Sequence, residues 1–299
     1  MFQIVRVALT FAAMQLPPDN ELRKLVQSAL TEDVGGGDVT SLATVPETIS
    51  ASSKMVARES LVVAGLRLAE LAFSETSSQL TMKRKSADGV RVAKGEVLLE
   101  IEGSASAILT AERVALNFVQ RLSGVATLTA QFVEAIKGTS AKILDTRKTT
   151  PGLRLLEKYA VSCGGGQNHR IGLFDMVLIK DNHLVALRDA KPSAIEAAVR
   201  RARERFPKLK VEVEADTLEQ VGQAVEAAAD IILLDNMSLD ELRAAVKLVN
   251  GRAKLEASGG VNLQTVRGIA ETGVDFISVG ALTHSPRAVD VALDFEPER

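Results

Sequence analysis

The sequence contains a single cysteine, Cys163, among its 299 residues. One thiol excludes a disulfide framework and a zinc site made of cysteines, which agrees with a reducing compartment. Glycines follow Cys163 directly, and no activating base stands beside it in the sequence. We therefore interpret it as a buried structural thiol rather than a nucleophile.

The chain also lacks an excess of charge and any long apolar run. Its 36 basic and 38 acidic residues nearly cancel, so we expect no nucleic-acid partner and no attraction to a membrane surface. No run approaches the roughly 20 apolar residues of a membrane helix. Residues 1–16 are apolar but lack the basic start of a signal peptide, and we interpret them as an N-terminal extension available to pack on a neighbouring subunit. We expect a cytoplasmic protein.

The length is sufficient for two domains. Residues 1–124 mix strand-like runs with a helix over 20–30 and a long apolar helix from about Ser104, which predicts an α+β domain. From 125 to 285, short apolar strands alternate with amphipathic helices, which predicts a parallel α/β barrel. The tail, 286–299, is expected to return to the first domain. The six predicted barrel strands are 142–145, 176–179, 210–213, 231–234, 254–256 and 276–279.

Polar residues or glycines follow each of these six strands. They are Arg147 with Lys148, then Lys180, Glu214, Asp235, Ser258 with Gly259 and Gly260, and Gly280. In a parallel barrel the carboxyl ends of the strands carry the active site, because the βα loops converge there. Six strands fall short of eight, so the barrel is expected to be incomplete or irregular.

Positive charge is densest between Asp145 and His183. The cationic and histidine side chains there are Arg147, Lys148, Arg154, Lys158, His169, Arg170 and Lys180. Guanidinium groups match carboxylates in bidentate fashion, so converging arginines predict a small polyanionic substrate. For Arg154 and Lys158 a solvated basic face is an equal alternative.

Two acidic segments add carboxylates to the same edge. Alternation along the segment VEVEA, 211–215, points Glu212 and Glu214 to one side, and Asp235 follows the next strand directly. Carboxylates without a histidine and cysteine cluster suit Mg²⁺ or Mn²⁺. The alternative is that Glu214 and Asp235 pair with the neighbouring cations.

The last two strands are each followed by small residues, in EASGGV and SVGALTHS, which we expect to open helices and bind phosphate. Among the histidines, His169 is predicted to contact a ligand and His183 to hydrogen-bond within its loop. His284 could reach the phosphate or lie on the surface. The early EDVGGGDVTS segment lacks the lysine of a P-loop and is interpreted as a structural turn.

Taken together, these motifs resemble the quinolinate phosphoribosyltransferase family over nearly the whole chain. They occur in family order: EDVGGGDVTS, AERVALNFVQRLSG, DTRKTTPGLR, GGGQNHR, LIKDNH, VEVEA, LLDN, EASGGV and SVGALTHS. The resemblance implies an N-terminal α/β sandwich followed by an open, irregular TIM-like α/β barrel of about seven strands. It also implies a homodimer, or a hexamer built of dimers, with shared active sites.

The resemblance further implies the substrates, quinolinate and phosphoribosyl pyrophosphate, and Mg²⁺ as cofactor. It assigns quinolinate binding to Arg147, Lys148, His169, Arg170 and Lys180, with Arg113 entering from the neighbouring subunit. It assigns binding of the ribose and phosphate groups to Glu214, Asp235, Ser258, Gly259, Gly260, Gly280 and His284. Catalysis is assigned to Lys148, Lys180, Glu214 and Asp235, and the metal to Glu214 and Asp235. The implied products are nicotinate mononucleotide, pyrophosphate and carbon dioxide.

Three other functions stay open on the sequence. A barrel aldolase could use Lys180 as a Schiff-base nucleophile, since a desolvated lysine can serve in that role. A degenerate barrel could sense a phosphosugar or nucleotide without turnover. A related transferase could act on another aromatic acid, because one altered pocket contact changes the substrate.

Overall fold

The structure is a computed structural model, and it describes residues 14–297. Its helices are α1 (Asp19–Val34), α2 (Val39–Thr44), α3 (Leu66–Thr76), α4 (Ala105–Ala135), α5 (Arg154–Cys163), α6 (Asp181–Val185), α7 (Ala194–Arg205), α8 (Leu218–Glu226), α9 (Leu239–Val249), α10 (Val266–Ala270) and α11 (Ala281–His284). Its strands are β1 (Ser50–Ala57), β2 (Leu61–Val62), β3 (Thr81–Arg84), β4 (Arg91–Val92), β5 (Val97–Ser104), β6 (Lys142–Leu144), β7 (Val177–Ile179), β8 (Val211–Ala215), β9 (Ile231–Asp235), β10 (Lys254–Ser258), β11 (Phe276–Ser278) and β12 (Val291–Pro297). The N-terminal extension proposed for residues 1–16 lies almost entirely outside the described residues.

The described chain divides into two compact units. The parallel-sheet unit holds residues 131–149 and 166–284, and the antiparallel-sheet unit holds 14–130, 150–165 and 285–297. These units differ from the continuous predicted ranges, because segment 150–165, which contains α5, groups with the antiparallel sheet. A division after Gly124 also falls inside α4, which runs without interruption for 31 residues.

The antiparallel-sheet unit is built on four strands in the order β12, β1, β5, β3. Strand β12 from the C-terminal segment pairs antiparallel with β1, so the tail joins the N-terminal sheet. The glycine turn between α1 and α2 has a structural role, as predicted: Asp38 accepts a hydrogen bond from Ser41 N and caps α2. The Ser41 hydrogen bonds hold the pKa of Asp38 below its ordinary value.

Gly124 lies within α4, where a glycine normally weakens a helix. A Cβ at this position would overlap the Arg287 carbonyl oxygen and come within 3.5 Å of the Ala288 Cα. The glycine therefore allows the C-terminal segment to pack directly on the helix backbone, and α4 continues through this position.

The parallel-sheet unit contains six parallel strands in the order β6, β11, β10, β9, β8, β7. All six barrel strands predicted from the sequence are confirmed, with ends shifted by one or two residues. The sheet is open in the described residues, since its end strands β6 and β7 do not pair with each other. A single parallel bridge between Leu144 and Gln167 stands at the outer edge of β6, so six strands form where about seven were expected.

Hydroxyl side chains cap the N-termini of three helices of this unit. Ser193, Thr217 and Ser238 each accept a hydrogen bond from the amide three residues later, at the first turns of α7, α8 and α9. The capped helices bury their apolar faces, and β9 is buried along most of its length. The carboxyl ends of six strands are thereby held at one edge.

Among the described residues, no helix is both long and apolar enough to cross a membrane.

Candidate active site

A cavity of about 410 Å³ opens at the carboxyl ends of the parallel strands. Its volume is in the range of small-molecule sites. The predicted site residues that line it are Arg147, Lys148, His169, Arg170, Lys180, Glu214, Asp235 and Ser258. The structure therefore brings together both the cations and the carboxylates that the sequence singled out.

Two arginines form the cationic part of the cavity. Arg170 is 7% exposed, and its NH1 donates to the Met176 carbonyl at 3.2 Å. Burial lowers the pKa of Arg170, and the neighbouring positive charge of Arg147 lowers it further. The Nε of Arg147 is buried and has no hydrogen-bond partner among the described residues. Two guanidinium groups that repel each other, one with an unused donor, favour an anionic ligand.

The segment after β7 carries an ion pair. Lys180 Nζ binds Glu214 Oε2, so the alternative that Glu214 pairs with a neighbouring cation is confirmed. His183 Nδ1 accepts a hydrogen bond from the Lys180 amide at 2.9 Å, which confirms its predicted role within the loop. Lys180 is thus fixed by its backbone while its side chain reaches across to β8.

Asp235 is oriented by a residue that the sequence analysis missed. Asn236 Nδ2 donates to Asp235 Oδ2 at 2.8 Å, and Asn236 N donates to the Ser258 carbonyl at 2.9 Å. Gly259 makes room for this side chain, because a Cβ there would lie 2.6 Å from the Asn236 Cγ. Adjacent ends of β9 and β10 are therefore tied together through Asn236.

Lys148 lies beside Gly280, in the loop that follows β11. Its carbonyl accepts a hydrogen bond from Thr283 Oγ1 at 2.7 Å. A Cβ on Gly280 would lie 3.3 Å from the Lys148 Cδ and 3.2 Å from the His284 Nε2. Gly280 therefore lets both side chains approach the loop after β11. His284 is exposed, in agreement with the surface alternative, and its contact with phosphate stays a prediction.

The two glycine-containing loops differ from each other. Helix α11 starts directly after Gly280, as expected, whereas α10 starts only at Val266, six residues after Gly260. The expectation that a helix opens at Gly259 and Gly260 is wrong. Both glycines have positive φ, +96° and +60°, so the chain turns back on itself before the helix can begin.

A buried acidic pair flanks His169. His169 Nε2 lies 3.1 Å from Glu212 Oε2 and 3.5 Å from Glu256 Oε2, and Ser278 Oγ donates to Glu256 Oε1. Burial raises the pKa of Glu212 to about 7 and, together with the negative charge of Glu212, raises that of Glu256 to about 8. Glu256 and Ser278 were not predicted as site residues. The alternation used for Glu212 and Glu214 would have found Glu256, which stands two residues before Ser258.

The predicted magnesium ligands have the chemistry that this ion requires. Glu214 and Asp235 supply hard carboxylate oxygens to one cavity. Magnesium prefers such donors together with substrate phosphates. The residues present therefore fit the ion.

The remaining predicted cations lie in the antiparallel-sheet unit. Arg113 on α4 has a side chain that is 59% exposed, with Glu112 at 4.0 Å. Lys158 is fully buried, so the solvated face considered for it is wrong. Cys163 is half-buried rather than buried as predicted, and burial raises the pKa of its thiol to about 12, which favours a structural thiol over a nucleophile.

Comparison with known proteins identifies the family. Residues 38–123 match the N-terminal domain and residues 125–294 the C-terminal domain of quinolinate phosphoribosyl transferase. The chain is 43% identical to quinolinate phosphoribosyltransferase [decarboxylating] 2, mitochondrial, of Nicotiana glauca, covering 94% of this chain and 84% of the relative. It is 42% identical to the probable nicotinate-nucleotide pyrophosphorylase [carboxylating] of Bacillus subtilis, covering 92% and 93%.

A solved structure agrees with these matches. The nicotinate-nucleotide pyrophosphorylase of Francisella tularensis superposes with a TM-score of 0.90 at 39% identity, covering 95% of this chain and 99% of that one. Both family domains are matched in order, and the likeness extends over nearly the whole chain. The protein belongs to the quinolinate phosphoribosyltransferase family.

Proposed function

We propose that the protein transfers the phosphoribosyl group of phosphoribosyl pyrophosphate to quinolinate with decarboxylation, giving nicotinate mononucleotide, pyrophosphate and carbon dioxide for NAD biosynthesis. The observation that carries the proposal is the cavity at the strand ends. In a chain of this family, that cavity joins a pair of arginines to a set of lysines and carboxylates.

Quinolinate is assigned to the arginine side of the cavity. Its two carboxylates match the two guanidinium groups of Arg147 and Arg170, whose mutual repulsion a dianion relieves. The buried Nε of Arg147 supplies a donor that has no protein partner in residues 14–297. Nicotinate carries one carboxylate and would leave one guanidinium without an anion. The site therefore favours the dicarboxylate, with His169 and Lys180 bordering the same space.

Phosphoribosyl pyrophosphate is assigned to the side bounded by Lys148 and the ends of β9, β10 and β11. The residues proposed to bind its phosphates are Ser258, Gly259, Gly260, Gly280 and His284. Glycines leave their backbone amides open to close approach by phosphate oxygens. Glu214 and Asp235 would hold Mg²⁺, which when bound neutralises charge on the pyrophosphate.

The first chemical step joins the pyridine nitrogen to the anomeric carbon of ribose while the bond to pyrophosphate breaks. The electron pair of that bond leaves with pyrophosphate, and Lys148 offsets its charge. Positive charge develops on the ribose, where the carboxylates of Glu214 and Asp235 stabilise it. Lys180 and Asn236 hold these two carboxylates in place before the reaction starts, so they need not reorganise during it. The pyridinium then withdraws electrons from the adjacent carboxylate, which departs as carbon dioxide.

Two further features belong to this proposal. The six-stranded sheet would form an open TIM-like barrel of about seven strands, the seventh marked by the bridge at Gln167. The cytoplasm is the proposed compartment, although the Nicotiana relative is named as mitochondrial.

The active form is proposed to be a homodimer, or a hexamer of dimers, in which Arg113 completes the neighbouring subunit's pocket. Arg113 has an exposed side chain, as a residue offered to a partner must have. Apolar side chains are exposed on each unit, with Val39 and Leu42 on α2 and Leu173 and Phe174 shortly after Arg170. These neighbouring exposed side chains would be covered if they lay in the proposed subunit interface.

Complementation tests the shared site. Arg113→Ala and Lys180→Ala are each expected to be nearly inactive. After co-refolding at equal concentrations, random pairing makes half of the dimers mixed, and each mixed dimer holds one intact and one doubly altered site. About one quarter of wild-type activity should therefore return. A mixture as inactive as its parents would show that Arg113 serves its own subunit.

The reaction itself is tested by measuring both products. Wild-type protein with quinolinate, phosphoribosyl pyrophosphate and Mg²⁺ should release pyrophosphate and carbon dioxide in equal amounts, and calorimetry should show much weaker binding of nicotinate than of quinolinate. Pyrophosphate release with a different aromatic acid, and none with quinolinate, would favour the related transferase. Borohydride trapping of a carbonyl substrate on Lys180 would favour the aldolase, and binding without any turnover would favour the sensor.

A further inference from the structure

The buried pair Glu212 and Glu256 has no part in the steps described so far. Glu256 lines the cavity yet is 1% exposed, and Glu212 is fully buried behind it. Glu212 Oε1 and Glu256 Oε2 receive no hydrogen bond from any other described residue, and the two carboxyl groups hydrogen-bond to each other. Two carboxyl groups buried against each other at a cavity wall are costly, so the pair calls for a function.

A metal ion held by His169, Glu212 and Glu256 is the first possibility, because one ligand atom from each lies within 4.8 Å of the others. The histidine opposes it. The Arg170 amide donates to His169 Nδ1 at 2.8 Å, so the ring proton resides on Nε2, the nitrogen that faces both carboxyl groups. A protonated nitrogen cannot ligate a metal. It can donate to a carboxylate, and it does so to Glu212 at 3.1 Å.

The surroundings favour a proton on Glu256. The groups that face it are Glu212 on β8, His169 before β7 and Ser278 on β11, and no lysine or arginine forms an ion pair with it in the described residues. Arg170 and Lys180 favour the ionised form of Glu212, and the Glu214 carboxylate opposes them. Two buried carboxylates this close cannot both be ionised at low cost, so one holds a proton. Glu212 receives the hydrogen bond from His169 and the attraction of the cations, which leaves the proton on Glu256.

We propose that Glu256 is the acid that protonates the pyridine ring after decarboxylation, an inference that rests on the proposed function. When the bond between the ring carbon and its carboxylate breaks, the electron pair stays on the carbon and carbon dioxide leaves. That carbon takes the proton of the Glu256 carboxyl, a C–H bond forms, and Glu256 becomes a carboxylate. His169 and Ser278 stabilise this carboxylate until a proton from water restores it. Without a proton donor the carbanion recombines with carbon dioxide, so net decarboxylation slows.

The test is Glu256→Gln, which keeps the size of a neutral carboxyl group but has no acidic proton. In single-turnover experiments, pyrophosphate and carbon dioxide from quinolinate labelled in the carboxylate next to the ring nitrogen are measured separately. The variant should release carbon dioxide at least about 100-fold more slowly than pyrophosphate, so that the carboxylated mononucleotide accumulates. Release of both products together at wild-type rates overturns the proposal. Absence of pyrophosphate release by the wild-type protein would instead refute the proposed function.

The pH profile provides a second test should Glu256→Gln fail to fold. The proton donor is present below the pKa of Glu256, about 8, so wild-type carbon dioxide release should decline as pH rises through that value. The Ser278 hydroxyl lowers this pKa by donating to the carboxylate. Ser278→Ala should therefore displace the decline to higher pH. A decline at the same pH in both proteins overturns the assignment, because a purely structural role for Ser278 would not move it.

Discussion

Gly259→Ala is the substitution whose effect the structure defines most sharply. An alanine Cβ would lie 2.6 Å from the Asn236 Cγ and 2.9 Å from its backbone nitrogen, and φ at this position is +96°. The positive φ alone costs an alanine about 1 to 2 kcal/mol. Displacement of Asn236 also breaks its hydrogen bond to Asp235, and a bond to a charged group contributes about 1.5 to 3 kcal/mol. The expected loss is about 3 to 5 kcal/mol.

Gly260→Ala is the matched control. Its φ is +60°, but a Cβ there meets no atom within 4 Å, so only the backbone strain of about 1 to 2 kcal/mol applies. Urea unfolding should separate the two variants by about 2 kcal/mol or more. The KM for phosphoribosyl pyrophosphate should rise about tenfold more in Gly259→Ala, because Asp235 loses its orienting partner. Equal stabilities and equal KM values would refute the role given to Asn236.

Three other predictions concern the site and its support. Arg147→Ala and Arg170→Ala should each weaken quinolinate binding in calorimetry by about 2 to 4 kcal/mol, and wild-type affinity in either contradicts the arginine pair. Turnover should stop in excess chelator and return with Mg²⁺, whereas an unchanged rate excludes the metal. Glu157→Ala should lower the free energy of unfolding by about 3 kcal/mol, since the buried carboxylate accepts three hydrogen bonds. Glu226→Ala, which removes an exposed ion pair, should cost little, and equal losses would contradict the argument.

The strands of the parallel sheet could be predicted because each is a short apolar run with a polar residue at its end. Buried parallel strands require such runs, and their carboxyl ends must share one edge of the sheet. The sequence alone therefore predicted that Lys180, Glu214 and Asp235 lie close together, and all three line the cavity. Sequence spacing sufficed there because the sheet geometry does not depend on side-chain detail.

Other features depend on contacts between distant segments, which spacing does not encode. Gly124 looks like the end of a helix until the packing of residues 287 and 288 on it is known. The position of α10 depends on how the chain turns at Gly259, which in turn depends on Asn236. Glu256 was not predicted as a site residue, although alternation places it on the same side of its strand as Ser258. Its proximity to Glu212 and His169 depends on the fold and could not be predicted from spacing.

The pairing of β12 with β1 has a consequence for folding during synthesis. The Arg58 and Asp294 side chains that meet at this pairing are 236 residues apart in the chain. At roughly 5 to 20 residues per second, ribosomal synthesis of the intervening segment takes about 12 to 50 s. During that interval the outer edge of β1 has no strand to pair with. Unpaired edges attract other chains, so nascent copies on one messenger RNA are exposed to strand exchange until β12 emerges.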